Sequence, residues 1–198
     1  MTINDVVGTA DAKSHRIPGE SGIWLVIFGD LLAFGALFFT FMYYRAEAPA
    51  TFAAGQAAMN RDIGIANTIV LLTASLAVVQ GVHAYRAGAR RAADRAVTAA
   101  ILCAVVFLVL KSVEYAQKLS AGMTPATDIY FLLYYTFTGV HFFHVIVGTA
   151  VLIYMRALAR RAIPDISDTQ TIESGAIFWH LVDLLWVAMF ALFYLVHS

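Results

Sequence analysis

Five separate stretches of mostly apolar residues constrain this chain more than any other feature of its sequence. They cover residues 22–44, 63–85, 95–117, 129–155 and 173–196. A helix needs about 20 apolar residues to cross the hydrocarbon core of a bilayer, so each stretch predicts one membrane-spanning helix. The alternating apolar and polar residues of membrane β-barrel strands are absent from these stretches. The sequence therefore predicts an all-α polytopic transmembrane bundle with five spans, because helices satisfy their own backbone hydrogen bonds in lipid.

Composition excludes several other classes of protein. Hydrophobic residues make up 61% of the chain and charged residues 13%, whereas soluble domains average about 45–50% and about 25%. The 13 basic residues balance the 13 acidic residues, so no basic face is available and we expect no nucleic-acid partner. The single cysteine, Cys103, excludes a disulfide within the chain and any metal site built from several cysteines.

The chain divides into two parts, a polar segment over residues 1–21 and a five-helix domain over residues 22–198. Residues 1–21 lack the apolar core of a secretory signal peptide. The connections between spans are short, and residues 46–62, rich in Ala with Pro and Gly, predict a linker.

Basic residues are distributed unequally between the two sides of the predicted bundle. One side carries Lys13, Arg16, Arg86, Arg90, Arg91, Arg95, Arg156, Arg160 and Arg161, and the other only Arg45, Arg61 and Lys118. Because positive residues are enriched on the cytoplasmic side, we expect a cytoplasmic N-terminus and a C-terminus on the outer face. We expect the membrane to be a bacterial inner membrane.

Ionisable residues inside the predicted spans are the candidate functional groups, because a charge at membrane depth is costly without a partner or a purpose. They are Asp30, Lys111, Glu114, His141, His144, Glu173, His180 and Asp183. Asp30 is the only charged residue of its span. It is either a hydrogen-bonded structural acid or a site that handles protons or lipid head groups. Lys111 and Glu114 have the spacing of an i, i+3 ion pair.

Two polar pairs stand three residues apart, His141 with His144 and His180 with Asp183. Residues at this spacing share a helix face, and such faces predict a hydrogen-bond network between helices. A metal site, or a haem held by His141 and His180, is the alternative. The Glu-x-x-His pairs of ferritin-like di-metal proteins are absent.

Aromatic residues near the span ends predict an interfacial belt; they are Trp24, Tyr43, Tyr44, Tyr115, Tyr130 and Tyr194. Gly139, Gly148 and Gly175 predict close approach of neighbouring helices.

Four segments resemble subunit III of the haem-copper oxidases, and within that group the short nitric oxide reductase accessory proteins of NorE type. They are residues 24–35 (WLVIFGDLLAFG), 67–75 (NTIVLLTAS), 138–149 (TGVHFFHVIVGT) and 173–186 (ESGAIFWHLVDLLW). The last two are the most specific, and Glu114-Tyr115 is also similar to a Glu-Tyr pair of the family. The likeness covers about residues 20–197.

The chain departs from the family in two ways. Longer members have seven helices, with phospholipids between a two-helix and a five-helix bundle, and this chain resembles the last five helices. The buried acid of the first matching helix is commonly Glu in the family, whereas here it is Asp30.

The resemblance implies an accessory subunit with no catalytic residue, metal, haem or copper of its own. It implies a haem-copper catalytic partner subunit that carries those groups, contact with membrane lipids, and a bound phospholipid. The implied role is to support assembly, proton uptake and stability of the catalytic subunit. Asp30 then becomes a proton- or lipid-linked carboxylate, and the remaining motif residues become a polar core formed by Glu114, His141, His144, Glu173, His180 and Asp183.

Two other classes of function remain as alternatives. One is a small haem- or metal-binding membrane oxidoreductase that uses the intramembrane histidines directly. The other is a proton-coupled transporter, which would need broken helices or an inverted repeat. No proline falls within the five spans, and no internal repeat is evident.

Overall fold

A computed structural model describes residues 21–161 and 166–195, and this part of the chain is almost entirely helical. Its α-helices are α1 (Ser21–Glu47), α2 (Pro49–Ala57), α3 (Arg61–Arg86), α4 (Arg90–Ser120), α5 (Ile129–Ala159) and α6 (Ile166–Phe190), and a π-helical turn (Ala191–Leu195) continues α6. Five helices are long and apolar enough to cross a membrane, namely α1, α3, α4, α5, and α6 with its π-helical turn. The predicted five-span all-α bundle is confirmed. Residues 1–20 of the predicted cytoplasmic segment lie outside the described residues.

The helices are longer than the apolar stretches that predicted them. α4 begins at Arg90 and α6 at Ile166, both before the predicted spans at residues 95 and 173. Hydropathy marks only the part of a helix that lies in lipid, and polar residues extend these helices beyond it.

Asp94, in the second turn of α4, joins this helix to the end of α5. Its carboxylate accepts hydrogen bonds from Arg156 Nε at 2.9 Å, from Arg160 Nε at 2.7 Å and from a second Arg160 nitrogen at 2.9 Å. The hydrogen bond to Asp94 raises the pKa of the Arg160 guanidinium above its ordinary value. The ion pairs tie the α4 and α5 ends together on the arginine-rich side.

We expect Asp94→Asn to lower the free energy of unfolding by about 1 kcal/mol or less, because the Arg160 side chain is 56% exposed and exposed ion pairs contribute little. Thermal unfolding of Asp94→Asn, Arg160→Gln and the double variant measures the coupling between the two residues. The coupling should shrink at about 1 M salt, where charges are screened. A coupling that is absent at low salt would contradict the ion pair.

The connection over residues 46–62 is not a simple linker, because it contains α2. Pro49 occupies the start of α2, a position where its missing N–H costs nothing. Phe52 and Gly55 are buried, and Gln56 Nε2 donates a hydrogen bond to the Leu192 carbonyl at 3.0 Å. The segment therefore folds back onto the end of the bundle beside α5 and the π-helical turn.

α6 is the most buried span and α1 the least buried. Large apolar side chains of α1 are exposed, among them Leu25, Phe28, Leu32 and Phe39. In a membrane such side chains face lipid or another membrane protein. The inner face of α1 carries Phe34 and Phe41, which are fully buried against the other helices.

The predicted aromatic belt is partly wrong. Trp24, Tyr43 and Tyr44 are exposed, but Tyr130 and Tyr194 are buried inside the bundle. Their hydroxyl groups donate hydrogen bonds inside the bundle, to the Phe193 carbonyl and to Glu114. A buried tyrosine hydroxyl usually has such a partner.

Two of the three predicted glycine contacts are present. A Cβ at Gly148 would lie 3.0 Å from the Trp179 ring and one at Gly175 would lie 2.7 Å from Met155 Sδ, whereas Gly139 faces open space. Gly148 and Gly175 therefore hold α5 and α6 close together.

Candidate functional site

The six residues predicted to form one polar core lie in separate contacts along the bundle. Glu114 belongs to an ion cluster at one end of the bundle, and Glu173 pairs with Arg86 at the other end. Between them, His144 contacts Asp30 and His141 packs among aromatic rings. His180 and Asp183 lie beside Ser75. Each contact joins two or more helices.

A buried ion cluster connects α4, α5 and the π-helical turn. It consists of Lys111, Glu114, Lys118, Tyr134 and Tyr194, and no member is more than about 5% exposed. Lys111 Nζ lies 3.0 Å from Glu114 Oε2 and donates to the hydroxyl oxygens of Tyr134 at 2.9 Å and Tyr194 at 3.1 Å. Both tyrosines donate to Glu114 Oε1, at 2.9 and 2.6 Å. Lys118 Nζ lies 3.8 Å from the same oxygen.

Helical periodicity explains how these groups meet. Lys111, Glu114 and Lys118 follow one another by three and four residues, which places them on one face of α4. The Lys111 ammonium also lies over the ring of Trp186, 5.2 Å from its centre, a favourable position for a cation. The predicted ion pair between Lys111 and Glu114 is confirmed. The hydroxyl groups of Tyr134 and Tyr194 complete its hydrogen bonds, and Lys118 adds a second positive charge nearby.

Asp30 meets His144 between α1 and α5. His144 Nε2 lies 3.2 Å from Asp30 Oδ1, and both side chains are less than one-fifth exposed. His144 Nδ1 lies 2.8 Å from the Val140 carbonyl oxygen. The second carboxylate oxygen, Asp30 Oδ2, is buried and has no hydrogen-bond partner among the described residues.

This geometry places one proton between Asp30 and His144. The Val140 carbonyl can only accept, so His144 Nδ1 must carry a hydrogen. A bare Nε2 lone pair facing an ionised carboxylate would repel it, so one more proton lies on Nε2 or on the Asp30 carboxyl. Either arrangement gives the pair no net charge, which lowers its cost at membrane depth. A single proton therefore satisfies the contact between the two side chains, whichever of them carries it.

His141 has a different environment. It is fully buried, and its ring lies 5.7 Å from Phe107 and 5.4 Å from Trp186, measured between ring centres. Trp186 in turn donates from Nε1 to Thr68 Oγ1 at 3.0 Å. His141 thus lies inside the aromatic core at the meeting of α4, α5 and α6, and its neighbour Trp186 connects it to α3.

His180 and Asp183 both contact α3. His180 Nδ1 lies 2.7 Å from Ser75 Oγ, and the Asp183 side chain lies near the same serine. Ser75 belongs to the segment that resembles the family's Leu-Leu-Thr-Ser-Ser stretch. This part of the predicted network joins α3 to α6.

Glu173 lies at the arginine-rich end of the bundle and pairs with an exposed arginine. Its Oε1 accepts hydrogen bonds from Arg86 at 2.8 and 3.2 Å, and the Arg86 side chain is 51% exposed. The pair ties the end of α3 to α6 on the arginine-rich side.

The three histidines of the fourth and fifth spans lie in different contacts. His141 contacts aromatic rings, His144 contacts Asp30, and His180 contacts Ser75. Within residues 21–161 and 166–195, no three His, Cys, Asp or Glu side chains come together in a way that could hold a metal ion.

Tyr134 and Tyr194 were missed as members of the ion cluster. A signal for Tyr134 was present, because it lies seven residues before His141 and fourteen before Gly148, all on one stripe of α5. Tyr194 lies near the end of a span, a position that favours the membrane–water interface. Its hydrogen bond to Glu114 depends on tertiary packing that the sequence does not display.

Comparison with known proteins points to one family along almost the whole chain. The sequence profile of the family described as "Cytochrome c oxidase subunit III" matches residues 10–198. "Cytochrome c oxidase subunit 3" of Triticum aestivum is 32% identical over 92% of this chain and 70% of its own length. The protein of the same name from Trichophyton rubrum is 30% identical over 87% of this chain and 65% of its own length. The chain spans about two thirds of the length of these curated relatives.

A third relative has a different organisation. "Heme-copper oxidase subunit I+III" of Aeropyrum pernix is 24% identical over 89% of this chain, and the match covers 22% of its own length. Its name gives two subunits in one chain, and this chain matches a part of it.

Proposed function

Because the chain belongs to the cytochrome c oxidase subunit III family, we propose that it is a non-catalytic accessory subunit of a haem-copper respiratory complex. Its partner in this proposal is the catalytic subunit, which supplies the haem and copper. Its task is to support the assembly, proton uptake and stability of that subunit.

The family match over residues 10–198 is the observation that carries the proposal. The arrangement of the motif residues supports it, because they join helices to one another in pairs and small clusters. The name of the Aeropyrum pernix relative, which combines subunits I and III, supports a partnership with the catalytic subunit.

The proposal places the N-terminus on the cytoplasmic side of a bacterial inner membrane and the C-terminus on the outer face. The unequal distribution of basic residues supports this orientation. The arginines of the two connections after α3 and α5 lie on one side together with the Asp94 and Glu173 ion pairs.

Lipid contact is a further part of the proposal. An apolar cleft of about 320 Å³ lies between α1, α5 and α6, with Ile23, Val151, Met155 and Phe178 in its lining. Its volume and apolar lining suit part of an acyl chain. We assign the implied phospholipid to this cleft.

Asp30 is the residue that we propose to link this subunit to proton uptake, because it shares one proton with His144. We expect Asp30→Asn to shorten the working life of the complex several-fold, since an amide cannot exchange that proton. The Asp30→Glu complex should retain most of the native working life, because glutamate keeps the carboxyl group. Activity is followed until it falls to half, with Asp62→Asn, an exposed acid on α3, as control.

Equal lifetimes for the native complex and the Asp30→Asn complex would refute a proton role for Asp30. Loss of the subunit from the Asp30→Asn complex would assign the residue a structural role.

Affinity purification tests the proposed partnership. The C-terminus is tagged, membranes are solubilised in mild detergent, and bound chains are identified by mass spectrometry with a reduced-minus-oxidised haem spectrum. Recovery of a haem-copper oxidase catalytic subunit supports the proposal, and recovery of a nitric oxide reductase favours the NorE-type role. Haem without a partner chain would support the haem-binding alternative.

A further inference from the structure

A small cavity opens beside the buried ion cluster, at the end of the bundle opposite the arginine-rich connections. It has a volume of about 160 Å³ and is lined by Ala58, Asn60, Glu114, Gln117, Lys118 and Met123. A single water needs only about 10–15 Å³ of such space. The cavity is therefore large enough for a polyatomic ion or the charged part of a larger molecule.

Lys118 supplies a buried positive charge to this cavity. The residue is only 5% exposed, and its ammonium donates no hydrogen bond at normal distance to any described residue. Its nearest anionic atom, Glu114 Oε1, is 3.8 Å away. An ammonium carries three donors, and a buried polar group without hydrogen bonds is costly. The donors of Lys118 are therefore available to a ligand in the cavity.

The local charges leave a surplus of one positive charge. The cluster has two ammonium groups, Lys111 and Lys118, and one carboxylate, Glu114. Glu114 also lines the cavity and would repel an anion, but its charge is matched by Lys111 at 3.0 Å and by two tyrosine hydroxyls. A single anion would balance Lys118.

The other polar groups of the cavity supply donors. The carboxamide oxygen of Asn60 accepts from the backbone nitrogens of Asp62 and Ile63, so its NH₂ group remains for another partner. Asn60 caps the N-terminus of α3, where the helix dipole favours a negative charge. Asp62 opposes this effect in the first turn. The side-chain amide of Gln117 adds a further donor.

We propose that this cavity binds a phosphate-bearing anion, held by Lys118 and Asn60. Lys118 lies in the last turn of α4, which ends at Ser120, at the depth where a span meets the head groups of the bilayer. The phosphate can come from a phospholipid head group or from inorganic phosphate in solution. This site is distinct from the apolar cleft between α1, α5 and α6, and it does not rest on the proposed function.

Four proteins test the site: the native chain, Lys118→Met, Ala58→Leu and Arg91→Met. Lys118→Met removes the charge and keeps a similar length. Ala58→Leu keeps every charge and adds atoms to the cavity from an exposed position. Arg91→Met is the matched control, an exposed basic residue at the other end of α4. Each chain is purified in phosphate-free buffer and non-ionic detergent, with any partner that accompanies it.

Two readouts distinguish the sources of phosphate. If the ligand is a lipid, the native and Arg91→Met proteins retain one more phospholipid per chain than the other two proteins. If it is inorganic phosphate, added phosphate raises the thermal unfolding midpoint of the native and Arg91→Met proteins relative to equal sulfate, and this increase is lost in the other two. Equal phospholipid content together with an equal phosphate response in all four proteins would overturn the proposal. If Lys118→Met fails to fold, the phospholipid content and the phosphate response of Ala58→Leu test the proposal in its place.

Discussion

Glu114→Gln is expected to lower the free energy of unfolding by about 3–5 kcal/mol, the cost of removing one partner from a buried ion pair. Among the residues that the structure describes, Glu114 is the only carboxylate that forms an ion pair with the two buried ammonium groups, at 3.0 Å from Lys111 and 3.8 Å from Lys118. It also accepts the hydroxyl protons of Tyr134 and Tyr194. The variant would leave two cations in the interior with no anion between them.

The sequence offers a convenient probe for this measurement. Cys103 is the only cysteine of the chain and is half-buried on α4. Its labelling rate in detergent, at increasing denaturant, reports the opening of the bundle. Glu47→Gln, at the exposed end of α1, is the matched control and should change stability little.

A second variant tests whether unpaired charge, and not altered packing, causes the loss of stability in Glu114→Gln. Lys111→Met in the Glu114→Gln background removes one unpaired cation and should recover part of the lost stability, because apolar replacement of a buried ion pair is often neutral or stabilising. A double variant that is less stable than Glu114→Gln alone would contradict this account of the cluster. So would a single Glu114→Gln variant as stable as the native chain.

Gly55→Ala is expected to destabilise the chain by about 1–3 kcal/mol, the usual cost of overpacking. A Cβ at Gly55 would lie within 3.0 Å of three ring atoms of Tyr130. That ring cannot move aside freely, because it packs edge-on against Phe52 and Phe193 and its hydroxyl donates to the Phe193 carbonyl at 3.3 Å. The new methyl group would push α2 away from α5.

Gly35→Ala is the matched control, since a Cβ there meets nothing within 4 Å. Alanine also favours helix over glycine, so the control should be neutral or slightly stabilising. Thermal unfolding in detergent measures both variants. Equal midpoints for Gly55→Ala and Gly35→Ala would show that α2 does not pack on α5 as described.

The number and order of the spans could be predicted from sequence because lipid imposes a simple length rule on apolar helices. The burial of each helix face could not be predicted. In a membrane both the lipid and the interior are apolar, so Phe39, which is exposed, and Phe41, which is fully buried, look alike in the sequence.

α2 was missed for a different reason. It has nine residues, too few to span a membrane, and its alanines and glycine resemble a linker. Pro49 at its start was the one signal of a helix. Position 55 requires glycine because the Tyr130 ring packs against it, a tertiary contact that the sequence does not display.

The sequence singles out the polar residues of the spans, but it does not display how helix packing groups them. His141 and His144 share a face only approximately, because three residues turn a helix by about 300° and leave the side chains about 60° apart. In a bundle this difference is enough to direct His141 towards Trp186 and His144 towards Asp30. The single polar core implied by the family resemblance is therefore a set of separate contacts between helices.

In the proposed function, this chain supports a catalytic subunit without carrying out the reaction itself. The most direct test is to purify the respiratory complex with and without this chain and to follow the reduction of its electron acceptor over many turnovers. We expect similar initial rates, with activity that decays several-fold faster when the chain is missing. Complete loss of the initial rate in a fully assembled catalytic subunit, or identical decay in both preparations, would contradict the proposed role.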